Sequence, residues 1–182
     1  MGIPNLLTFL RIILIPVFIL LFYLPFRGSH VLAAIIFIFA AMTDWLDGYL
    51  ARSLGQVSKL GTFLDRVADK LIVVAALVLL VGDRVLPYLA IPAIVIICRE
   101  IMVSALREWM AEIGKRTRIA VTRIGKIKTT VQMLALILLL LYKPGAWFAL
   151  ALSGYLLLYL AALLTLWSMS LYLKAAWHDL SS

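Results

Sequence analysis

The chain has 182 residues, of which 65% are hydrophobic and 14% charged, and its mean hydropathy is +1.09. An ordinary soluble domain carries about 25% charged residues, so this composition excludes a water-solvated enzyme and leaves a single membrane domain over 1–182. The formal net charge of +8 reads as a topology signal with attraction to anionic headgroups, not as a nucleic-acid surface.

The first predicted helix covers 5–26. No basic residue precedes its apolar stretch and no small-residue cleavage site follows, so it is expected to stay in place and not to act as a signal peptide. At its head stands Pro4-Asn5-x-x-Thr8-x-x-Arg11. Taken alone, Asn5 and Thr8 are helix-capping residue types and Arg11 a snorkelling interfacial charge.

The second and third helices are predicted at 31–53 and 59–81, punctuated by Gly28, Gly55 and Gly82. They hold four of the nine acidic residues. Asp44 and Asp47 are spaced i, i+3 and Asp65 and Asp69 i, i+4, so each pair projects from one helix face. Asp47 and Asp65 lie nine residues either side of Gln56, and Asp44 and Asp69 twelve and thirteen. In a hairpin turning near Gly55, equal distance from the turn is equal depth, so the carboxylates should meet in two layers. A helix entering near Val31 puts Asp44 about 20 Å into a hydrocarbon core of about 30 Å, near the cytoplasmic edge. Each such aspartate costs about 2.5 to 3.5 kcal/mol, so the cluster demands cations. Two divalent ions neutralise four carboxylates, and oxygen-only donors favour Mg²⁺ or Mn²⁺. Pairing with Arg52, Arg66, Lys70 and Arg99 is the structural alternative, but it leaves Gly48, Ala51 and Gly61 unexplained. Small residues there permit close approach of a backbone or a ligand. Two ions with a phosphate between them clamp the attacking and leaving oxygens of an in-line displacement.

The fourth helix is predicted at 86–112. Cys98, in the apolar run 94–98, is expected to be a buried small hydrophobe. Arg99 is thirteen residues from Leu86, as Asp44 is from Val31, so it is expected level with the aspartates. At that depth it needs an anion: an aspartate, Glu100 or a bound phosphate. The fifth helix is predicted at 124–142, and its Lys126 and Lys128, with Arg107, should ring the mouth of the same cavity. Such a group of cations suits a ligand that itself carries phosphate. The sixth helix is predicted at 147–174. Lys and Arg crowd into 52–59 and 107–128, while the opposite loops hold Arg27, Arg84 and Lys143, which puts both termini and the basic loops on the cytoplasmic side. Intramembrane acids also mark cation transporters, but no acid lies in the outer half of helix two or three.

The ordered pattern Asp44-x-x-Asp47-Gly48-x-x-Ala51-Arg52, eight residues, Gly61-x-x-x-Asp65-x-x-x-Asp69 resembles the signature of the CDP-alcohol phosphotransferases. The resemblance implies an all-α integral membrane protein of six transmembrane helices, usually a homodimer, with its active site between helices near the cytoplasmic face. It implies that Asp44, Asp47 and Asp65 ligate two Mg²⁺ or Mn²⁺ ions, and that Asp69 completes the site and is the general base. Gly48, Ala51, Arg52, Ser58 and Gly61 would line the nucleotide and its pyrophosphate, for which the planar fork of Arg52 is suited. The motif of Asn5, Thr8 and Arg11 resembles the opening of helix one in the same family, where the cytidine end is held. The stretches 98–116 and 124–130 extend the likeness over nearly the whole chain. They imply CDP-diacylglycerol as donor and sn-glycerol 3-phosphate as acceptor, in the bacterial cytoplasmic membrane, with inositol phosphate or serine as alternative acceptors. Arg66 departs from the family, which often has proline there; it adds a charge beside Asp65 and removes no ligand.

Overall fold

The computed structural model describes residues 3–26, 28–54, 59–83, 86–112, 123–142 and 148–180. Among these residues the chain forms six helices and no strand: α1 (Ile3–Tyr23), α2 (Ser29–Leu54), α3 (Lys59–Gly82), α4 (Ala90–Glu112), α5 (Arg123–Leu141) and α6 (Phe148–Leu180).

Most boundaries fall within three residues of the sequence expectation, and the larger departures have local causes. α1 stops at Tyr23 because Pro25 disfavours helical backbone at the residue before it. α4 begins at Ala90, four residues after the expected start at Leu86. Tyr88 has φ 65°, a left-handed conformation incompatible with helix. Its carbonyl accepts a 2.9 Å bond from Tyr159 Oη, and that of Pro87 a 2.6 Å bond from Tyr155 Oη, so two tyrosines one turn apart on α6 fasten the strained turn. α6 runs six residues past the expected end at Lys174, through Ala175 and Ala176, which favour helix.

Six helices are not six uniformly apolar spans. Among the described residues one segment, Phe148–Leu171, is by itself both long and apolar enough to cross a bilayer; Leu7–Tyr23, Ser29–Thr43 and Ile127–Leu141 are apolar but shorter.

The chain divides into two compact units, Met1–Val85 with Leu140–Ala146, and Leu86–Leu139 with Trp147–Ser182. In the first, the buried stripe of α1 is Thr8, Arg11, Ile15, Phe18 and Phe22, at spacings of three and four residues that keep one face of a helix turned inward. It packs on the stripe Ala33, Phe37, Ala40 and Thr43 of α2, with the Phe18 and Phe37 rings 6.0 Å apart. α3 presents Ala68, Ile72 and Ala76. The alanines let the helices approach closely, as small residues do inside membranes. Ile13, Leu20, Ile35, Phe39 and Val78 on the opposite faces are exposed, an apolar exterior that water would not tolerate.

The second unit repeats the device. The inward stripe of α6 is Ala151, Gly154, Leu158, Ala161, Thr165 and Ser168, a seven-residue repeat of small and polar residues. A Cβ added at Gly154 would lie 2.8 Å from Leu139 Cγ and Cδ2, so glycine is what lets α6 meet α5 there. The matching stripes are Ile96, Arg99 and Val103 on α4, and Lys128, Gln132, Ala135 and Leu139 on α5. Cys98, expected to be buried, is exposed. It sits on the outer face of α4 with exposed Ile94 and Ile101, because one residue of helix turns the side chain about 100° from its neighbour.

Candidate active site

In the first unit, the buried stripe of α1 delivers a charge to α3. Arg11 Nη1 donates to Asp65 Oδ1 at 3.0 Å, and its side chain is fully buried while that of Asp65 is 37% exposed. Arg11 is therefore not the snorkelling interfacial charge that its position suggests in isolation. It is an interior cation, one turn from buried Thr8, fixed on the third aspartate of the signature. Asp69 follows Asp65 by one turn of α3 and Gly61 precedes it by one, both partly exposed. Arg66, between them in sequence, points to the exposed side and leaves the helix regular.

Asp44, Asp47, Gly48, Ala51 and Arg52 lie on α2, and Asn5 on α1, at positions where only the backbone is described; Ser58 lies outside the described residues. Among the described residues no three His, Cys, Asp or Glu side chains gather to hold a metal, and two of the four expected ligands fall outside that set. The described part of the site supplies carboxylate oxygens, the donor type a hard divalent ion takes, and one oxygen of Asp65 is engaged by Arg11.

The second unit gathers another set of charges. Three buried stripes bring together Arg99 of α4, Lys128 of α5 and Ser168 of α6, all buried. Glu100 joins the cations: its Oε1 accepts from Arg99 Nη1 at 3.0 Å and from Lys128 Nζ at 2.5 Å. The other terminal nitrogen of Arg99, Nη2, donates to Ser168 Oγ at 2.9 Å, and the Ser168 hydroxyl donates to the Thr165 carbonyl at 2.9 Å. The anion that Arg99 requires is thus Glu100, one of the three expected. Arg107, two turns further along α4, is exposed and bears on Lys128 electrostatically. Lys126 lies where only the α5 backbone is described.

The depth match between Arg99 and the aspartates loses its basis. With α4 starting at Ala90 and α2 at Ser29, Arg99 is nine residues into its helix and Asp44 fifteen. Two further polar groups escaped sequence reasoning, Gln132 and Thr165, whose Oε1 and Oγ1 are buried with no hydrogen-bond partner among the described residues. Their signal was periodicity. Gln132 is one turn from Lys128, and Thr165 and Ser168 continue the small-residue stripe of α6.

The family description that matches this chain is CDP-alcohol phosphatidyltransferase, over residues 1–167. Among similar proteins, one from Pseudomonas fluorescens is 56% identical over 189 residues, covering 100% of this chain and 93% of its own. One from Pectobacterium atrosepticum is 54% identical over 179 residues, covering 98% and 97%. One from Yersinia enterocolitica is 52% identical over 180 residues, covering 99% and 97%. All three carry the name CDP-diacylglycerol--glycerol-3-phosphate 3-phosphatidyltransferase.

Proposed function

The chain belongs to the CDP-alcohol phosphatidyltransferase family, and from that premise we propose that it carries out the reaction for which its relatives are named. The 1-hydroxyl oxygen of sn-glycerol 3-phosphate attacks the phosphatidyl phosphorus of CDP-diacylglycerol. The bond from that phosphorus to the CMP oxygen breaks, and phosphatidylglycerophosphate and CMP leave. The observation that carries this reading is identity above 50% over nearly the whole length of relatives sharing one name.

The chain's own residues divide the work. Asp69 takes the proton of the attacking hydroxyl, and a base at hydrogen-bond range contributes about 10² to 10⁴ in rate. Asp44, Asp47, Asp65 and Asp69 hold two Mg²⁺ or Mn²⁺ ions, which neutralise the pyrophosphate and the charge on departing CMP when bound. Asn5, Thr8 and Arg11 hold the cytidine end; Gly48, Ala51, Arg52, Ser58 and Gly61 accommodate the pyrophosphate; Arg11 also orients Asp65 through their ion pair. Arg99, Lys128, Lys126 and Arg107 receive the acceptor's phosphate, a role supported by the burial of Arg99 and Lys128 on one shared carboxylate.

The enzyme lies in the bacterial cytoplasmic membrane as a homodimer of six-span subunits, with the site facing the cytoplasm. That placement rests on the lysine and arginine asymmetry and on the apolar exterior of the helices. It lets the lipid donor enter sideways while acceptor and CMP exchange with water. Purified protein given CDP-diacylglycerol and a panel of acceptors tests the reading. Product is expected with glycerol 3-phosphate, and equal or faster turnover of inositol phosphate or serine would reassign the acceptor.

A further inference from the structure

The Glu100 carboxylate stands between two buried cations through a single oxygen. Its Oε1 accepts from Arg99 Nη1 and from Lys128 Nζ, so the two cationic nitrogens lie within two hydrogen-bond lengths of each other. Like charges so close repel, and in a low-dielectric interior only an anion between them keeps that spacing. The arrangement is not a by-product of sequence proximity. Consecutive residues on a helix do not face one another, so Arg99 must reach round α4 to meet its neighbour, and Glu100 must lean toward a lysine 28 residues away. Ser168 fixes the other end of the guanidinium from a third helix.

On the reading that Arg99 and Lys128 receive the acceptor's phosphate, we propose that Glu100 is the positioning residue that holds these two cations together and sets affinity for the phosphorylated acceptor. Two positive charges and one negative leave the trio with a net positive charge, so it still attracts a phosphate dianion. Glu100 is the most open of the three, its side chain 26% exposed against 9% for Arg99 and 2% for Lys128. The cations are therefore set deep and the carboxylate braces them from the more open side. Preorganisation of this kind lowers the entropy lost when the anion binds.

Initial rates of the purified enzyme in mixed micelles, with glycerol 3-phosphate varied, test this for Glu100→Ala, Glu100→Gln and Lys128→Met. In Glu100→Ala the acceptor KM is expected to rise about ten- to a hundredfold, the equivalent of one charge-assisted hydrogen bond, with KM for CDP-diacylglycerol near that of the unsubstituted enzyme. Glu100→Gln keeps an acceptor oxygen in place and should show a smaller rise. A merely structural ion cluster would lower stability without singling out the acceptor KM. An acceptor KM left unchanged by Glu100→Ala overturns the proposal, and a lowered one does so too, because the carboxylate would then be competing with phosphate. If Glu100→Ala does not fold, Glu100→Gln decides by the same criterion. Lys128→Met separates the two levels: a raised acceptor KM there with none in the Glu100 variants removes only the positioning role. No rise in Lys128→Met removes the acceptor-phosphate reading itself.

Discussion

Replacing Arg11 with methionine removes a buried charge while keeping most of the length and apolar volume of the side chain. Breaking a fully buried ion pair costs about 3 to 5 kcal/mol, whereas exposed pairs are worth about 1 kcal/mol or less. Arg11 is fully buried but Asp65 is 37% exposed, so water screens part of the interaction and about 2 kcal/mol is the working figure. At about 2 to 4 °C per kcal/mol for a chain of this size, the apparent melting midpoint should fall by about 4 to 8 °C. The five tryptophans allow it to be followed by fluorescence in detergent micelles. The substitution also leaves Asp65 in want of a cation. Added Mg²⁺ or Mn²⁺ should therefore restore stability to Arg11→Met, by about 2.7 kcal/mol at a hundredfold excess over Kd. A midpoint unmoved by the substitution refutes the buried-pair argument, and a drop that neither ion relieves refutes the assignment of Asp65 to a cation site.

Two packing predictions follow from the second unit. Gly154→Ala should destabilise by about 1 to 3 kcal/mol, because its new methyl meets Leu139 at 2.8 Å; thermal unfolding checks this, and Leu139→Ala in the same chain should recover part of the loss. Thr165→Val removes a buried hydroxyl that has no hydrogen-bond partner among the described residues and keeps the shape, so stability should hold or rise by up to about 1 kcal/mol. Ser168 would keep its bond, since it donates to the Thr165 backbone carbonyl.

The helices were legible because hydrophobic period and punctuation agree along this chain. The start of α4 was not, because its cause lies elsewhere: Tyr88 takes a left-handed conformation held by tyrosines of α6 some seventy residues on. Spacing alone puts each aspartate pair on one helix face, since i, i+3 and i, i+4 fix a common face before any tertiary contact forms. Arg11 is ambiguous in isolation. A lone arginine near a helix end looks interfacial, and only its place on the stripe Thr8, Arg11, Ile15 marks it as inward. Ser168 and Glu100 show the same lesson from two sides. Glu100 was one of three candidate anions for Arg99, and sequence could not choose among partners that a helix face alone does not bring together. Ser168 was hidden in an apolar run, although it continues the seven-residue stripe of α6.

The most direct measurement of the central claim is product stoichiometry in vesicles containing the purified protein, CDP-diacylglycerol, glycerol 3-phosphate and Mg²⁺, with CMP and phospholipid quantified together. One CMP is expected for each phosphatidylglycerophosphate formed, with both falling by about 10² to 10⁴ in Asp69→Asn. CMP released without the phospholipid, or both made at the unsubstituted rate by Asp69→Asn, would contradict the account.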